Sequence, residues 1–487
     1  MNNAVSIEQY QALEAKYNQV CHELAQLKRL IFGARSEKFI PAQIPNQLDL
    51  DFGQNASVGI APTQREKITY ERNKKQHPGR TAIPDNIPTE DIIIEPIEDT
   101  TDMVLIGEEI TETVDFRPGV LVKRRYIRRK YARRNPSDKQ TSVIIGELPD
   151  RPIPKGIAEA GLLAYLIVSK FVDHLPFYRL IELFKRQHGW TIHKATMNDW
   201  FASCCSLLEP LYQKLHRLVI ESDYLQADES PIKVLDTDKP GSTHQGYQWV
   251  VRNPLNGLVL FKYRKGRGAD GIKELLSDYQ GYLQCDGYKA YESFAKKGNV
   301  TLISCLAHIR RKFYEAVDHH PDYAQQALTQ IGHLYEVERQ SRDAGCNASQ
   351  RQELRLTTSS EIYSKLLEWV AERYKCNLHK GAIGTALHYA NNQLPKLESY
   401  LRDGRIEIDN NLTENSIRPL ALGRKNYLFA GSHEGAQRAA MMYSFFASCK
   451  YHQINPLEWM TDVLQRIGTH PVNQLEDLLP HHWKKQD

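Results

Sequence analysis

The chain has 487 residues, 41% hydrophobic and 25% charged, with a formal net charge of only +4. That much apolar material supplies about two to four cores and excludes a disordered polymer, while the longest uncharged apolar run, GLLAYLIV at 161–168, falls short of the roughly 18 residues a membrane span needs. The eight cysteines are scattered without a CxxC pair, and no signal-peptide pattern opens the chain, so a reducing cytoplasm is the expected location.

In residues 1–40, Tyr10, Leu13, Tyr17, Val20, Leu24, Leu27 and Ile31 follow at alternating steps of three and four. This is a heptad seam, which predicts a coiled coil joining copies of the chain into a homo-oligomer. A single amphipathic helix packed on its own protein is the alternative. Residues 41–90 are rich in Pro, Gln, Asn and Gly and read as an irregular linker. The second half of this linker is basic.

Residues 91–150 alternate as strands do, ending in VLVKRRYIRRKYARR. Lys123, Arg124, Arg125, Arg128, Arg129 and Lys130 stand there with Tyr126 and Tyr131 between them. Side chains of a strand alternate between faces, so so many cations need anionic company. A DNA phosphate backbone is one source; a solvated, charged hairpin edge that resists aggregation is the other reading.

Residues 151–218 turn helical. Two helices joined across Gly189, the second opening with His193, Lys194, Thr196 and Asn198, suit a helix-turn-helix that offers Lys194 to a groove. Residues 219–445 then alternate strands and helices in an α/β pattern. YLQAD (224–228) and YLQCD (282–286) each deliver an acid from a short apolar run, Asp228 and Asp286. VTLIS leads into the basic helix that bears Arg310 and Arg311, helices fill about 310–400, and IEIDNN reads as a strand running into a helix with Glu414. Residues 446–487 form a helical tail.

Carboxylates gathered in one site repel unless a cation joins them. Oxygen ligands of this kind suit Mg²⁺ or Mn²⁺, and two such ions about 3.5–4 Å apart can clamp a phosphate during displacement. The alternative for these acids is ordinary capping, for which Asp409 is the best N-cap candidate.

LQADESPIKVLD, GYLQCDGYKAYESF, CLAHIRRKF and IEIDNNLTENSIRPLALGRKNYLFAGSHEGAQRAAMMYS resemble the insertion sequence 66 family of bacterial DDE transposases. The likeness extends from GARSEKF and HPGR to LLPHHW and covers nearly the whole chain. It implies an RNase H-like catalytic core with an all-helical insertion, a metal-binding triad of Asp228, Asp286 and Glu414, and Arg418, Arg424 and Lys425 on DNA. It further implies terminal inverted repeats and target DNA as partners, accessory proteins of the same element, and strand cleavage followed by strand transfer. A catalytically retired DNA-binding protein and a metal nuclease without strand transfer are the rival readings. Where the family carries a zinc-ribbon-like module, 91–140 has no cysteine, so no zinc is expected there. Cys305 and His308 resemble a family signature and are taken as structural.

Overall fold

Two sheets arise from two different strand patterns. In the N-terminal one, β1 (Thr89–Ile94), β2 (Met103–Arg117), β3 (Val120–Arg133) and β4 (Ile144–Ile145) form a four-stranded sheet with β3 at its centre. β2 and β3 pair antiparallel along nearly their full length, whereas β1 runs parallel to β3. In the computed structural model the described residues are 83, 85, 87–101, 103–117, 119–133, 143–236, 239, 241–296, 299–376 and 381–485. The expected coiled coil of 1–40 and nearly all of the 41–90 linker lie outside them.

Val114 at the buried end of β2 bridges to Ala158, fastening the sheet to three helices: α1 (Ala160–Phe171), α2 (Phe177–His188) and α3 (Lys194–Ile220). The α2 helix stops at Gly189, whose φ of 64° is left-handed and suits a residue without a Cβ. The long α3 buries Met197, Trp200, Phe201, Leu208 and Leu211, while Lys194 and Asn198 at its start stay exposed.

The second sheet has five strands in the order β7-β6-β5-β8-β9. β5 (Tyr224–Leu235), β6 (Thr243–Arg252) and β7 (Val259–Arg264) are antiparallel; β8 (Gly281–Cys285) and β9 (Val300–Ser304) join β5 in parallel. β8 connects to β9 through the short helix α5 (Lys289–Ala295), as parallel neighbours that no hairpin can join require, and β5 leads to β8 through β6, β7 and α4 (Ala269–Leu275). The chain is thus mixed α/β.

After β9 come α6 (Leu306–Glu315), α7 (Pro321–Asp343), α8 (Ala348–Leu354), α9 (Ser360–Cys376), α10 (Ala382–Gln393) and the short α11 (Ser399–Arg402). These helices bury a core of their own around Ile309, Leu334, Leu366 and Leu387. Within it, Arg355 and Glu338 are fully buried and paired at 2.7 Å, and Arg355 donates further to the carbonyls of Tyr400 and Asp403. The chain returns through α12 (Asn411–Tyr427), α13 (His433–Tyr451) and α14 (Pro456–Arg466), the α13 helix lying along β7 in the main core.

The expected strand at IEIDNN is absent. Residues 403–410 form turns, and Ile406 and Ile408 alternate because both plug the helical core. Their backbone is held by buried side chains, Gln284 on the Glu407 carbonyl and the Tyr224 hydroxyl on the Glu407 amide. Asn410, not Asp409, occupies the N-cap of α12; Asp409 lies one residue earlier, where its carboxylate accepts the Asn411 amide and the Tyr335 hydroxyl.

Candidate active site

The repeated YLQxD pattern acquires its meaning from register. Tyr224, Leu225 and Gln226 pair in parallel with Tyr282, Leu283 and Gln284, so Asp228 and Asp286 both lie two residues beyond the last pair; Asp286 follows the end of β8, whereas β5 continues to Leu235 and Asp228, expected near its strand's end, lies within it. Side chains two residues apart share a face, and the two glutamines are therefore on the side of their own aspartates. Both are fully buried. Gln226 donates to Gln284 at 2.8 Å and to the Asp409 carbonyl at 3.0 Å, and accepts from the Thr413 hydroxyl at 3.1 Å. This buried amide network ties the first turn of α12, which carries Glu414, to the two strands. Such networks hold one geometry when every member is satisfied.

The electrostatics report the same convergence. Burial, and then the charges of Glu229, Asp286 and Glu414, push the Asp228 carboxyl up to about 8. Asp228 Oδ1 accepts the Glu229 amide at 2.8 Å, and Asp286 Oδ1 accepts the Tyr288 amide at 2.9 Å, fixing both rotamers. Gly287 follows Asp286 where a Cβ would stand 2.8 Å from Gln393 and 2.9 Å from Tyr389, so its lack of a side chain lets α10 close on the strand end. Glu229 is separately neutralised by Arg267 at 2.8 Å and the Tyr291 hydroxyl at 2.7 Å.

Glu414 Oε1 is buried with no hydrogen-bond partner. The nearest basic groups to the Glu414 carboxylate, His308 Nε2 and Arg311 Nη2, both stand at 3.7 Å, outside hydrogen-bond reach. Two groups of three ligand-type side chains lie within 4.8 Å of one another among the described residues, Cys305–His308–Glu414 and Glu476–His481–His482; the two aspartates stand outside the first. Burial pushes the Cys305 thiol up to about 12, and its sulfur accepts the Asn410 amide. An unpaired carboxylate oxygen and a donor set of carboxylates fit a hard divalent cation.

The remaining sequence candidates separate into two groups. Arg311 reaches Glu414, Arg310 is exposed on the same helix, and Arg418 and Lys425 are exposed on α12, whereas Arg424 donates to the Pro231 carbonyl. The β3 cations find their partners inside the sheet. Arg124 meets Asp115 at 2.9 Å, Arg125 meets Asp91 at 3.4 Å, Arg129 meets Glu95 at 2.9 Å, Lys130 meets Glu109 at 3.1 Å, Arg128 also meets Glu109, and the largely buried Lys123 faces Asp85 and Glu112. The anionic company these cations need is thus present in β1 and β2. Sequence reasoning missed the approach of His308 to Glu414: the C-x2-H spacing sets His308 one turn into α6 but carries no signal for a contact with a residue of α12. It also missed the Glu229–Arg267 pair, for which no local pattern exists.

Three family models match the chain: "Transposase IS66 family" over residues 155–438, "IS66 C-terminal element" over 444–481, and "Transposase C of IS166 homeodomain" over 19–92. The chain is 31% identical to the uncharacterized protein y4jD of Sinorhizobium fredii (strain NBRC 101917 / NGR234), covering 95% of this chain and 94% of that one. It is also 31% identical to the uncharacterized protein y4qI of the same organism, over 99% and 92%.

Proposed function

The chain belongs to the IS66 family of transposases, and from that membership we propose that it cuts and joins DNA with a divalent-metal site formed by Asp228, Asp286 and Glu414. The observation that supports this reading is the parallel register of β5 on β8, which gives Asp228 and Asp286 equivalent positions on neighbouring segments, with the Glu414 charge among those that raise the Asp228 carboxyl. Three antiparallel strands extended by two parallel ones, with helices α7 to α11 between the second and third acids, support an RNase H-like core carrying a helical insertion.

Mg²⁺ or Mn²⁺ held by these carboxylates supplies charge neutralisation and activation of the attacking oxygen when bound. The chain's own residues do the rest. Asp228, whose carboxyl is held above the usual carboxylate range by burial and by its acidic neighbours, would be one ligand of that cation, and the Gln226–Thr413 and Gln284–Glu407 hydrogen bonds fix the start of α12 against β5 and β8. Arg310, Arg311, Arg418 and Lys425 flank Glu414 from two helices and hold the phosphates of the bound strand. The start of α3, with Lys194, is the groove-reading element of a helix-turn-helix, residues 1–40 pair two subunits, and the terminal inverted repeats are the recognised DNA.

The test is a cleavage and joining assay on duplexes carrying the element's terminal repeats. With Mg²⁺ present, Asp228→Asn, Asp286→Asn and Glu414→Gln should each lower cleavage on the order of 10³-fold or more while duplex binding persists. Binding without metal-dependent cutting in the unaltered protein would establish the retired-transposase reading instead, and cutting without joining would establish the nuclease.

A further inference from the structure

Across α12 from the carboxylates lies a groove of about 750 Å³, within the range of roughly 300–1,000 Å³ typical of ligand sites. At its base is Arg252, the last residue of β6 and the cross-strand partner of Gln226. Only 5% of Arg252 is exposed, its Nε has no hydrogen-bond partner, and among the described residues no carboxylate pairs with it. One Nη donates to Ser416 at 3.2 Å, and the guanidinium lies 4.6 Å from the centre of the Tyr451 ring. That ring is fixed in turn, because it packs on Gly257 at a positive φ where any Cβ would collide with it.

A buried cation without a counter-charge costs several kcal/mol in order of magnitude. The same protein shows the compensated alternative in Arg355, which has Glu338 and two carbonyls. No Asp or Glu lines the groove, and Arg418 and Lys450 add charge of the same sign at its rim. Its walls are apolar and aromatic in the main, from Phe446, Tyr443 and Leu422, with His174, Asn415 and Gln453 as neutral polar members. The missing partner is therefore an anion joined to a flat apolar group. Arg418 lies one helical turn beyond Glu414, about 6 Å along the axis, so the groove opens beside the strand that the carboxylates would engage.

We propose that this groove binds one unpaired nucleotide of the DNA next to the reacting phosphate, its phosphate on Arg252 and Lys450 and its base against the aromatic wall. This rests on the transposase reading and adds to it a site for a nucleotide displaced from the duplex. Stacking of a base on such a wall contributes about 1–3 kcal/mol and is indifferent to sequence.

The full chain is titrated, in EDTA so that no cutting occurs, with a labelled blunt duplex and with the same duplex ending in three unpaired nucleotides, one of them 2-aminopurine. The unaltered protein should bind the frayed duplex at least tenfold more tightly and quench the 2-aminopurine. Lys450→Glu and Leu422→Glu, both at exposed positions, should abolish preference and quenching while leaving blunt-duplex affinity within twofold and metal-dependent cleavage measurable. No preference in the unaltered protein, or a preference that survives both substitutions, overturns the proposal while leaving the transposase reading intact. Loss of cleavage in the unaltered protein would strike that reading separately. A Leu/Glu-rich peptide that competes for the groove where the frayed duplex does not would assign it to a protein partner and also overturn the proposal.

Discussion

The strand β3 and the surroundings of α12 are both basic, but they differ in where their counter-charges are. Along β3 each of Lys123, Arg124, Arg125, Arg128, Arg129 and Lys130 has a carboxylate of the same sheet within 4.0 Å. Around α12, Arg252 is buried without an acid, Arg418, Lys425 and Lys450 have no acid partner among the described residues, and Lys170 lies 4.3 Å from the Phe177 ring with no carboxylate beside it. Cation density along a sequence therefore measures potential for binding anions, while compensation in the fold decides how much of that potential is available. The denser region in sequence is the more neutral one in space.

The largest effect expected from this contrast is on stability. Glu338→Gln leaves Arg355 buried and unpaired and should cost about 3–5 kcal/mol. Arg252→Met removes a cation that already lacks its partner and should cost less than about 1 kcal/mol, or stabilise. Chemical denaturation of both variants decides it, and an equal cost would break the comparison.

Salt dependence of duplex binding comes next. Arg418→Ala or Lys425→Ala should each lower the slope of log affinity against log salt by about one. Arg125→Ala and Arg129→Ala should change it far less, and Asp91→Asn, which releases Arg125, should tighten binding.

The smallest effect is a pH dependence. Burial, reinforced by Lys194, lowers the Lys170 amine from 10.5 to about 8. Between those values the unfolded chain binds more protons, so stability rises with pH across that window, and this contribution is lost as pH falls through about 8. Lys170→Met should raise the melting temperature at pH 7 and flatten its rise toward pH 10.5. A wild-type curve flat across the window would show the amine to be ordinary.

Much of the site was legible before any coordinates. Two copies of YLQxD predict two acids in equivalent register, and the parallel pairing of β5 with β8 bears this out, although β5 runs on to Leu235 and leaves Asp228 within the strand while Asp286 follows the end of β8. The helix bearing Glu414 and the Gly189 turn were equally plain, since capping and left-handed glycine conformations are local. The reading failed at Ile406 and Ile408, where alternation was taken for a strand. Burial of every second residue is common to a ladder strand and to a turn plugged into a helical core, and only the hydrogen-bond partners, here Gln284 and Tyr224, distinguish them. His308 illustrates the same limit. Its spacing from Cys305 is local, but its approach to Glu414 depends on where α6 and α12 cross.

By itself the sequence determined most of the helices and the strands of both sheets, the equivalent placement of Asp228 and Asp286, and that the chain resembles a DNA-processing family, because periodicity, capping and motif order are short-range properties. The tertiary structure alone decided which charges are neutralised, since attraction and desolvation depend on distances between residues remote in the chain. Only the fold could put β3 against acids from two other strands and leave Arg252 beneath a groove with none.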